Sequence, residues 1–163
     1  LVMIPVFAFG ATANTLTSRL IGEGKPNEVM PTVFKTIGQG LIAILPVPLC
    51  CLFIPHTVLS IYTDDLVLAD ASITSLLVIC CASIAMSFGI PLFEAVSGTG
   101  NTTNALILES VVLIAYTFSV WFFASYISTR VEWVWTSEFT YGTLIGLVSW
   151  LFMRFASWQR KKI

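Results

Sequence analysis

The chain has 163 residues, of which 56% are hydrophobic and only 10% are charged, and its formal net charge is -1. Soluble domains carry about 25% charged residues, so this sequence has too few charges to cover a surface that faces water. The near-neutral net charge also excludes the strongly basic field that attracts nucleic acid. The composition therefore predicts a membrane protein whose partner is a lipid bilayer, with no nucleic acid bound.

Five apolar segments are each long enough to cross a bilayer, which takes about 20 mainly apolar residues. In chain order they are predicted over residues 1–21, 33–54, 71–97, 103–127 and 139–158. An open sheet would leave backbone groups unpaired in lipid, and the alternating pattern of a barrel strand is absent from these segments. The predicted fold class is therefore all-α transmembrane, a polytopic bundle of helices.

The first span starts inside an apolar run at Leu1, with no initiator methionine. We expect the chain to be a fragment, or to lack upstream helices. A secretory signal is the alternative, because residues 11–13 read Ala-Thr-Ala, like a cleavage site. That alternative is disfavoured, since a signal needs a positive segment before its apolar core and more membrane sequence follows here.

Several spans contain residues that interrupt a helix or let helices approach closely. Proline removes a backbone donor and kinks a helix, and a Gly-x-x-x-Gly pair admits another helix backbone. The interruptions indicate either ordinary packing irregularity or helices that bend while a cavity opens to alternate sides. The residues are Pro5 in the first span, Pro46 and Pro48 in the second, Gly89 and Pro91 in the third, and Gly142 with Gly146 in the fifth.

Lysine and arginine placement predicts the orientation, because these residues accumulate in cytoplasmic connections. With alternating sides, every lysine and arginine except Arg130 falls on one face of the membrane. That face is predicted to be cytoplasmic, which places the C-terminus inside and the start of the first span outside. The cations concerned are Arg19, Lys25, Lys35, Arg154, Arg160, Lys161 and Lys162.

Two similar glycine-rich turns are predicted on the cytoplasmic side. One lies between the first and second spans, and the other, within "GTGNTTN", between the third and fourth. Glycine reaches positive φ without steric cost and so permits a tight reversal. Asn101, Thr102 or Thr103 is expected to cap the fourth span. The turn residues are Gly22, Gly24 and Pro26 in one motif and Gly98, Gly100, Asn101 and Thr102 in the other.

Metal and enzyme motifs are not evident. The cysteines occur as adjacent pairs, Cys50–Cys51 and Cys80–Cys81, without zinc-ligand spacing, and we interpret them as small hydrophobic residues. His56 lies at a span end. A membrane enzyme is disfavoured, because no second catalytic group accompanies Glu94 or Glu109, the two glutamates within the predicted spans. No cofactor is predicted.

The intramembrane acids are the strongest functional signal, since an ionisable side chain within a span is by default a functional hypothesis. Glu109 lies roughly 9 Å along the fourth span at 1.5 Å per residue. Residues seven apart share a helix face, which groups Thr102, Glu109 and Tyr116, while Leu106 points elsewhere. We expect this polar face to line the bundle interior or a water-filled cavity.

Two roles stay open for each acid. Glu109 is either a partner for a proton, sodium ion or substrate cation, with Tyr116 beside it, or a structural hydrogen-bonding group between helices. Glu94 shares a face of the third span with Ser83 and Ser87 and lies one turn before Gly98. An interfacial or structural role is favoured for Glu94, which is retained as a further candidate.

Three stretches together resemble the C-terminal half of a bacterial multidrug and toxic compound extrusion (MATE) transporter. They are "SRLIGEGKPNEVM" at 18–30, "FEAVSGTGNTTNALILE" at 93–109, and the ending "GLVSWLFMRFASWQRKKI". The first is similar to the family's turn after its eighth helix, and the second to the turn between its tenth and eleventh. By this resemblance the five spans correspond to helices eight to twelve, and both turns are cytoplasmic.

The resemblance implies a twelve-helix, two-lobe antiporter in the bacterial cytoplasmic (inner) membrane. Such a protein exchanges sodium ions or protons for amphipathic, often cationic small molecules. The missing N-terminal lobe of the same protein is then an implied partner. Some members carry a coupling carboxylate midway along helix ten, but the matching "SLLVICCASIAM" has none. Glu109 as a coupling group is therefore an inference from its position alone.

The leading hypothesis is secondary active efflux by alternating access. Carboxyl groups away from bulk water can exchange protons near neutral pH, and carboxylate oxygens with nearby hydroxyls equally suit sodium. Within the same superfamily, a lipid-linked sugar flippase is the alternative. A non-transporting membrane assembly subunit is the alternative from another class, which the full-length sequence would test.

Overall fold

The structure, a computed structural model, describes residues 3–127, 130–156 and 158. Across these residues the regular secondary structure is helical and includes no strand. The first two residues of the predicted first span and Ser157 of the fifth lie outside the described residues. So do the basic residues Arg160, Lys161 and Lys162.

Eight α-helices follow one another along the described chain. A 3₁₀ turn at Pro26–Glu28 precedes the second, and a π-helical turn at Phe123–Ile127 extends the sixth. The α-helices are α1 Ile4–Gly22, α2 Val29–Ile44, α3 Pro46–Phe53, α4 Pro55–Leu59, α5 Leu66–Gly98, α6 Thr102–Phe122, α7 Val131–Trp135 and α8 Ser137–Phe155.

Three helical segments are long and apolar enough to cross a membrane: Pro26–Phe53, Leu66–Gly98 and Thr102–Ile127. They correspond to the second, third and fourth predicted spans, and they make the chain a multi-pass helical membrane protein. The helices at the first and fifth predicted spans, α1 and α8, have 19 residues each. Neither α1 nor α8 is among the helices that are both long and apolar enough to cross a membrane. The count of five spans therefore stays a prediction.

Proline positions have different consequences in different helices. The second span is divided as expected, because α2 ends at Ile44 and α3 begins at Pro46. The expected interruption at Pro5 is wrong: Pro5 lies in the first turn of α1, where a missing backbone donor costs nothing. Pro91 lies inside the continuous helix α5. There it is buried, and the helix runs without a break through Gly89 and Pro91, where an interruption was expected.

The third span begins earlier than predicted. Residues 56–70 were expected to form a connection, but α5 starts at Leu66 and therefore includes Asp70. The Asp65 carboxylate accepts hydrogen bonds from the backbone N–H groups of Val67 at 2.9 Å and Leu68 at 3.3 Å. This N-cap satisfies donors that would otherwise be unpaired and fixes the start of α5 at Leu66, ahead of the predicted start at residue 71. The same predicted connection also contains the short helix α4.

Helix α5 is the centre of the bundle and packs against α1, α2, α3 and α8. Its contact with α8 depends on glycines. A Cβ atom at Gly89 would collide with the carbonyl oxygen of Gly142, and one at Gly146 would lie 3.0 Å from the Gly89 Cα. The Gly-x-x-x-Gly pair therefore admits another helix backbone, as its spacing indicates.

Helix α6 is peripheral by contrast. Its buried residues are Ala105 and Val112, whereas buried residues extend along most of α5. Its main helical neighbour is α8. The side of α6 that faces α8 and α5 is therefore the one that can contribute to a site inside the described bundle.

Candidate functional site

The polar face of α6 is turned toward the protein from Ala105 onward. Ala105 is buried, and Glu109 and Tyr116 are half-buried. Residues on other sides of the helix are open, with Leu106 64% and Phe118 61% exposed. Thr102, at the first position of the helix, is also exposed. The seven-residue spacing thus places Glu109 and Tyr116 together on the side that faces α8.

Tyr116 is held by a carboxylate from α8. Its hydroxyl donates a hydrogen bond to Glu138 Oε1 at 2.8 Å, and both side chains are half-buried. The Tyr116 ring also contacts Tyr141 edge to face, with 5.7 Å between ring centroids and 73° between ring planes. Two residues one turn apart on α8 therefore position the tyrosine.

Glu109 lies two helical turns before Tyr116 on the same face of α6 and has no direct bond to the Tyr116–Glu138 pair. Within the described part of the chain, no hydrogen bond or ion pair to the Glu109 carboxylate is observed. Its oxygens are thus available to a proton, a cation or a water molecule.

Glu94 has a direct partner on another helix. Its Oε2 accepts a hydrogen bond from the Asn14 side-chain amide of α1 at 2.8 Å. A Cβ atom at Gly10 would lie 3.2 Å from Glu94 Cγ, so the glycine makes room for the carboxylate arm. The hydroxyls of Ser83 and Ser87, on the same helix as Glu94, donate to carbonyl oxygens of their own helix. Glu94 therefore links α5 to α1 through its hydrogen bond with Asn14.

The two glycine-rich turns share one conformation and differ in packing. Gly24 and Gly100 have φ of +73° and +74°, the left-handed region that favours glycine. Gly22 and Gly98 do not; each is the last residue of a helix. At Gly98 the reason for glycine is close packing, since a Cβ atom there would lie 2.6 Å from the Asn14 carbonyl oxygen. All four glycines were expected to permit the chain reversals, but only Gly24 and Gly100 adopt positive φ.

The capping prediction for the fourth span is only partly right. Asn101 occupies the N-cap position of α6, and its backbone carbonyl accepts from Ala105 N–H at 3.1 Å. No side-chain cap hydrogen bond forms at Asn101. Its φ of −94° and ψ of 62° lie outside the extended region typical of a side-chain cap.

The first turn is charged on its surface, beside Gly22, Gly24 and Pro26. Glu23 accepts hydrogen bonds from Arg19 Nε at 2.8 Å and Lys25 Nζ at 3.4 Å. The Arg19 hydrogen bond, followed by that of Lys25, holds the pKa of the Glu23 carboxyl below its usual value. Pro26 opens the 3₁₀ turn that leads into α2. The second turn has no ionisable residue between Gly98 and Asn104.

Candidate ligand residues elsewhere are dispersed. Cys51 and Cys80 are buried and adjacent, whereas Cys50 and Cys81 are exposed. His56 Nδ1 lies 3.6 Å from Asp70 Oδ1 at an exposed position. Among the described residues, no three histidine, cysteine or acidic side chains come together where a metal ion could bind. A sodium ion at Glu109 would therefore need hydroxyl, carbonyl or water oxygens as its other ligands.

Sequence reasoning missed three residues of this site: Glu138, Tyr141 and Asn14. Glu138 is one residue before the predicted fifth span, and its position directly ahead of an apolar run was the signal available. Tyr141 lies one helical turn further on. Asn14 lies among small polar residues of α1, and its partner is 80 positions away along the chain, so no local pattern could have indicated it.

Comparisons with known proteins place the chain in a family. The family model MatE matches residues 1–122, which include α1 to α6 and both glycine-rich turns. No match was found among curated proteins or among solved structures. The matched region contains Glu94, Glu109 and Tyr116, while Glu138 and Tyr141 lie beyond it. With three quarters of its length covered by that model, the chain belongs to the MatE family and is a membrane protein of the MATE transporter superfamily.

Proposed function

We propose that this chain forms part of the C-terminal lobe of a two-lobe antiporter. The antiporter exports amphipathic or cationic compounds in exchange for sodium ions or protons. The proposed placement is the bacterial cytoplasmic membrane, with five spans corresponding to helices eight to twelve and a cytoplasmic C-terminus. Family membership supports transport, and the distribution of lysine and arginine supports the orientation.

One observation carries the coupling role: a half-buried carboxylate, Glu109, on a membrane-spanning helix, with no hydrogen bond or ion pair seen in the described chain. Charged groups within a bilayer are costly and are retained mainly where they bind ions, protons or partners. A structural hydrogen-bonding role would instead require a direct partner, such as Asn14 provides for Glu94. The contrast between these two carboxylates favours Glu109 as the coupling group.

The test uses the full-length protein in proteoliposomes loaded with a cationic dye. An imposed proton or sodium gradient should drive efflux, and the gradient that does so identifies the coupling ion. Glu109→Gln keeps the size of the side chain but removes its titratable charge. We expect efflux to fall on the order of tenfold, equivalent to losing about 1.4 kcal/mol of favourable interaction, and its pH dependence to flatten.

Glu28→Gln is the matched control, because Glu28 is an exposed acid at the 3₁₀ turn. It should leave both rate and pH profile unchanged. Efflux with an unaltered rate and pH profile in Glu109→Gln would show that Glu109 has no coupling role. No gradient-driven efflux by the full-length wild-type protein would refute the antiporter itself.

A further inference from the structure

A cavity of about 300 Å³ lies between helix α5 and residues 130–136, the connection that contains α7 and leads into α8. Its lining combines a charged pair, an indole ring and two hydroxyl groups, and none of these residues belongs to the Glu109 site. Ligand sites typically pair an apolar wall with a few convergent polar groups in this way. The lining residues are Thr74 and Val78 from α5, and Arg130, Glu132, Trp133 and Thr136 from the connection.

The charged pair presents opposite charges side by side at the cavity. Arg130 Nη2 lies 2.6 Å from Glu132 Oε1, and the Arg130 side chain is 71% exposed, whereas that of Glu132 is 16% exposed. A guanidinium carries five N–H donors and a carboxylate carries two acceptor oxygens. The pair can therefore stay intact while each member also contacts a ligand.

The depth of the cavity is that of a membrane boundary. Thr74 lies three residues inside the predicted third span, which starts at residue 71, so it is about 4.5 Å from that boundary at 1.5 Å per residue. Residues 130–136 end directly ahead of the predicted fifth span. Tryptophan and tyrosine concentrate at the level of lipid headgroups, and exposed examples occur here: Tyr126 at the end of α6, and Trp133 and Trp135 in α7.

Arg130 departs from the charge distribution of the rest of the chain. Every other lysine and arginine falls on the predicted cytoplasmic face, as is usual for membrane proteins. The ion pair with Glu132 does not by itself account for this cation, because exposed ion pairs contribute little to stability. A phosphate group at the membrane boundary does account for it, since a guanidinium binds phosphate oxygens through two parallel N–H bonds.

We propose that this cavity binds the headgroup of a zwitterionic phospholipid with a primary ammonium, such as phosphatidylethanolamine. The phosphate contacts the Arg130 guanidinium, and the ammonium contacts the Glu132 carboxylate beside the Trp133 indole, whose ring face also attracts cations. One charge of each sign in the pair matches one of each sign in the headgroup. The inference depends on the location of the chain in a membrane and does not depend on antiport.

The experiment measures lipid binding to the full-length protein, delipidated in detergent, by native mass spectrometry. Phosphatidylethanolamine is compared with phosphatidylcholine, whose ammonium has no N–H donor, and with phosphatidylglycerol, which has no ammonium; all three carry the same acyl chains. We expect phosphatidylethanolamine to bind about tenfold more tightly than either, as the loss of one hydrogen bond to a charged group predicts. Equal affinities for the three lipids would overturn the proposal.

Two substitutions should give different patterns, because they remove different contacts. Glu132→Gln should abolish the preference for phosphatidylethanolamine over phosphatidylglycerol. Arg130→Gln should weaken binding of all three lipids about tenfold, since each contains the phosphate. Arg19 and Glu23 form a matched exposed pair at 2.8 Å that does not line the cavity, so Arg19→Gln and Glu23→Gln should change neither property. An equal loss of affinity in Arg19→Gln and Arg130→Gln would indicate non-specific attraction and refute the site.

A cavity-filling variant tests the site without changing its charges. Thr74→Trp adds a large ring to the cavity from an exposed position on α5, and it should lower the affinity for phosphatidylethanolamine to that for phosphatidylcholine. Wild-type affinity in Thr74→Trp would refute this cavity as the site, and this variant decides the question if a charge variant fails to fold.

A competition experiment separates a lipid from a soluble compound with the same charges. Glycerophosphoethanolamine carries the headgroup without acyl chains, and at a concentration equal to that of the lipid it should not displace phosphatidylethanolamine. Displacement at equal concentration would indicate a site for a soluble amine phosphate and would overturn the assignment to a lipid.

Discussion

Gly22 and Gly98 occupy the same position in the two glycine-rich turns, as the last residues of α1 and α5, yet their surroundings differ. A Cβ atom at Gly22 would meet nothing within 4 Å. At Gly98 it would lie 2.6 Å from the Asn14 carbonyl oxygen and 2.9 Å from Thr17 Cβ. Ser18 Oγ also donates to the Gly98 carbonyl at 3.0 Å. Gly98 is thus part of the α1–α5 contact, whereas Gly22 is not.

This difference predicts opposite tolerance to one added methyl group. Gly98→Ala should destabilise the protein by about 1–3 kcal/mol, the usual cost of overpacking a tight contact, because α1 must move away from α5. Gly22→Ala should stay within about 0.5 kcal/mol of wild type, as surface changes usually do. Thermal unfolding midpoints of the full-length variants in detergent would measure the effect. Equal midpoints for the two variants would contradict the close packing at Gly98.

At the scale of elements, the order of the helices predicts which turns lie on the same side of the membrane. The positions of lysine and arginine predict which side that is. The turn after α5 contains Asn101, and the turn after α4 contains Tyr62, which is 63% exposed. One membrane-spanning helix, α5, separates them. The two turns must therefore lie on opposite sides of the bilayer, and the positive charge near the first glycine-rich turn predicts which side is cytoplasmic.

Cysteine labelling tests this orientation. In a full-length background with the native cysteines replaced by alanine, Asn101→Cys should react with a membrane-impermeant reagent only from the cytoplasmic side. Tyr62→Cys should react only from outside and is the matched control. The reverse pattern would invert the orientation, and labelling of both from one side would contradict a spanning α5.

For the whole molecule, the main feature is the large apolar surface that α6 leaves exposed. Large apolar side chains cover it, including Ile114 at 71% and Phe118 at 61% exposed. Leu113, Ile114, Thr117, Phe118 and Trp121 line an open apolar groove on the same helix. In a bilayer this surface faces lipid or helices outside the described bundle. Among the described residues, the Glu109 side of α6 is thus covered by α8 and α5, and the opposite side of the helix is open.

An incomplete enclosure predicts that this chain alone does not transport. A cavity that opens to alternate sides needs walls on both sides, and we expect the second wall from the remaining lobe. Expressed alone and reconstituted in dye-loaded liposomes, the chain should give no gradient-driven efflux, while the full-length protein does. Clear efflux from the isolated chain would contradict the two-lobe proposal.

Much of the architecture could be predicted from sequence, because it depends on local chemistry. Apolar length and few charges indicated helices in a membrane, and three of the predicted spans are matched by helices long and apolar enough to cross one. The helix break at Pro46 and the left-handed conformation of Gly24 and Gly100 follow from properties of single residues. The start of α5 was missed because Asp65 caps it through hydrogen bonds that apolar periodicity does not register.

The sequence by itself determined the class of protein, its resemblance to the MATE family, and the face of α6 on which Glu109 and Tyr116 lie. Only the tertiary structure decided what that face meets. Glu138 is 22 residues from Tyr116, and Asn14 is 80 residues from Glu94. Helical periodicity specifies directions within one helix, whereas the choice of partner between helices depends on how closely their backbones approach. That approach is set here by contacts such as Gly89 against the glycines of α8.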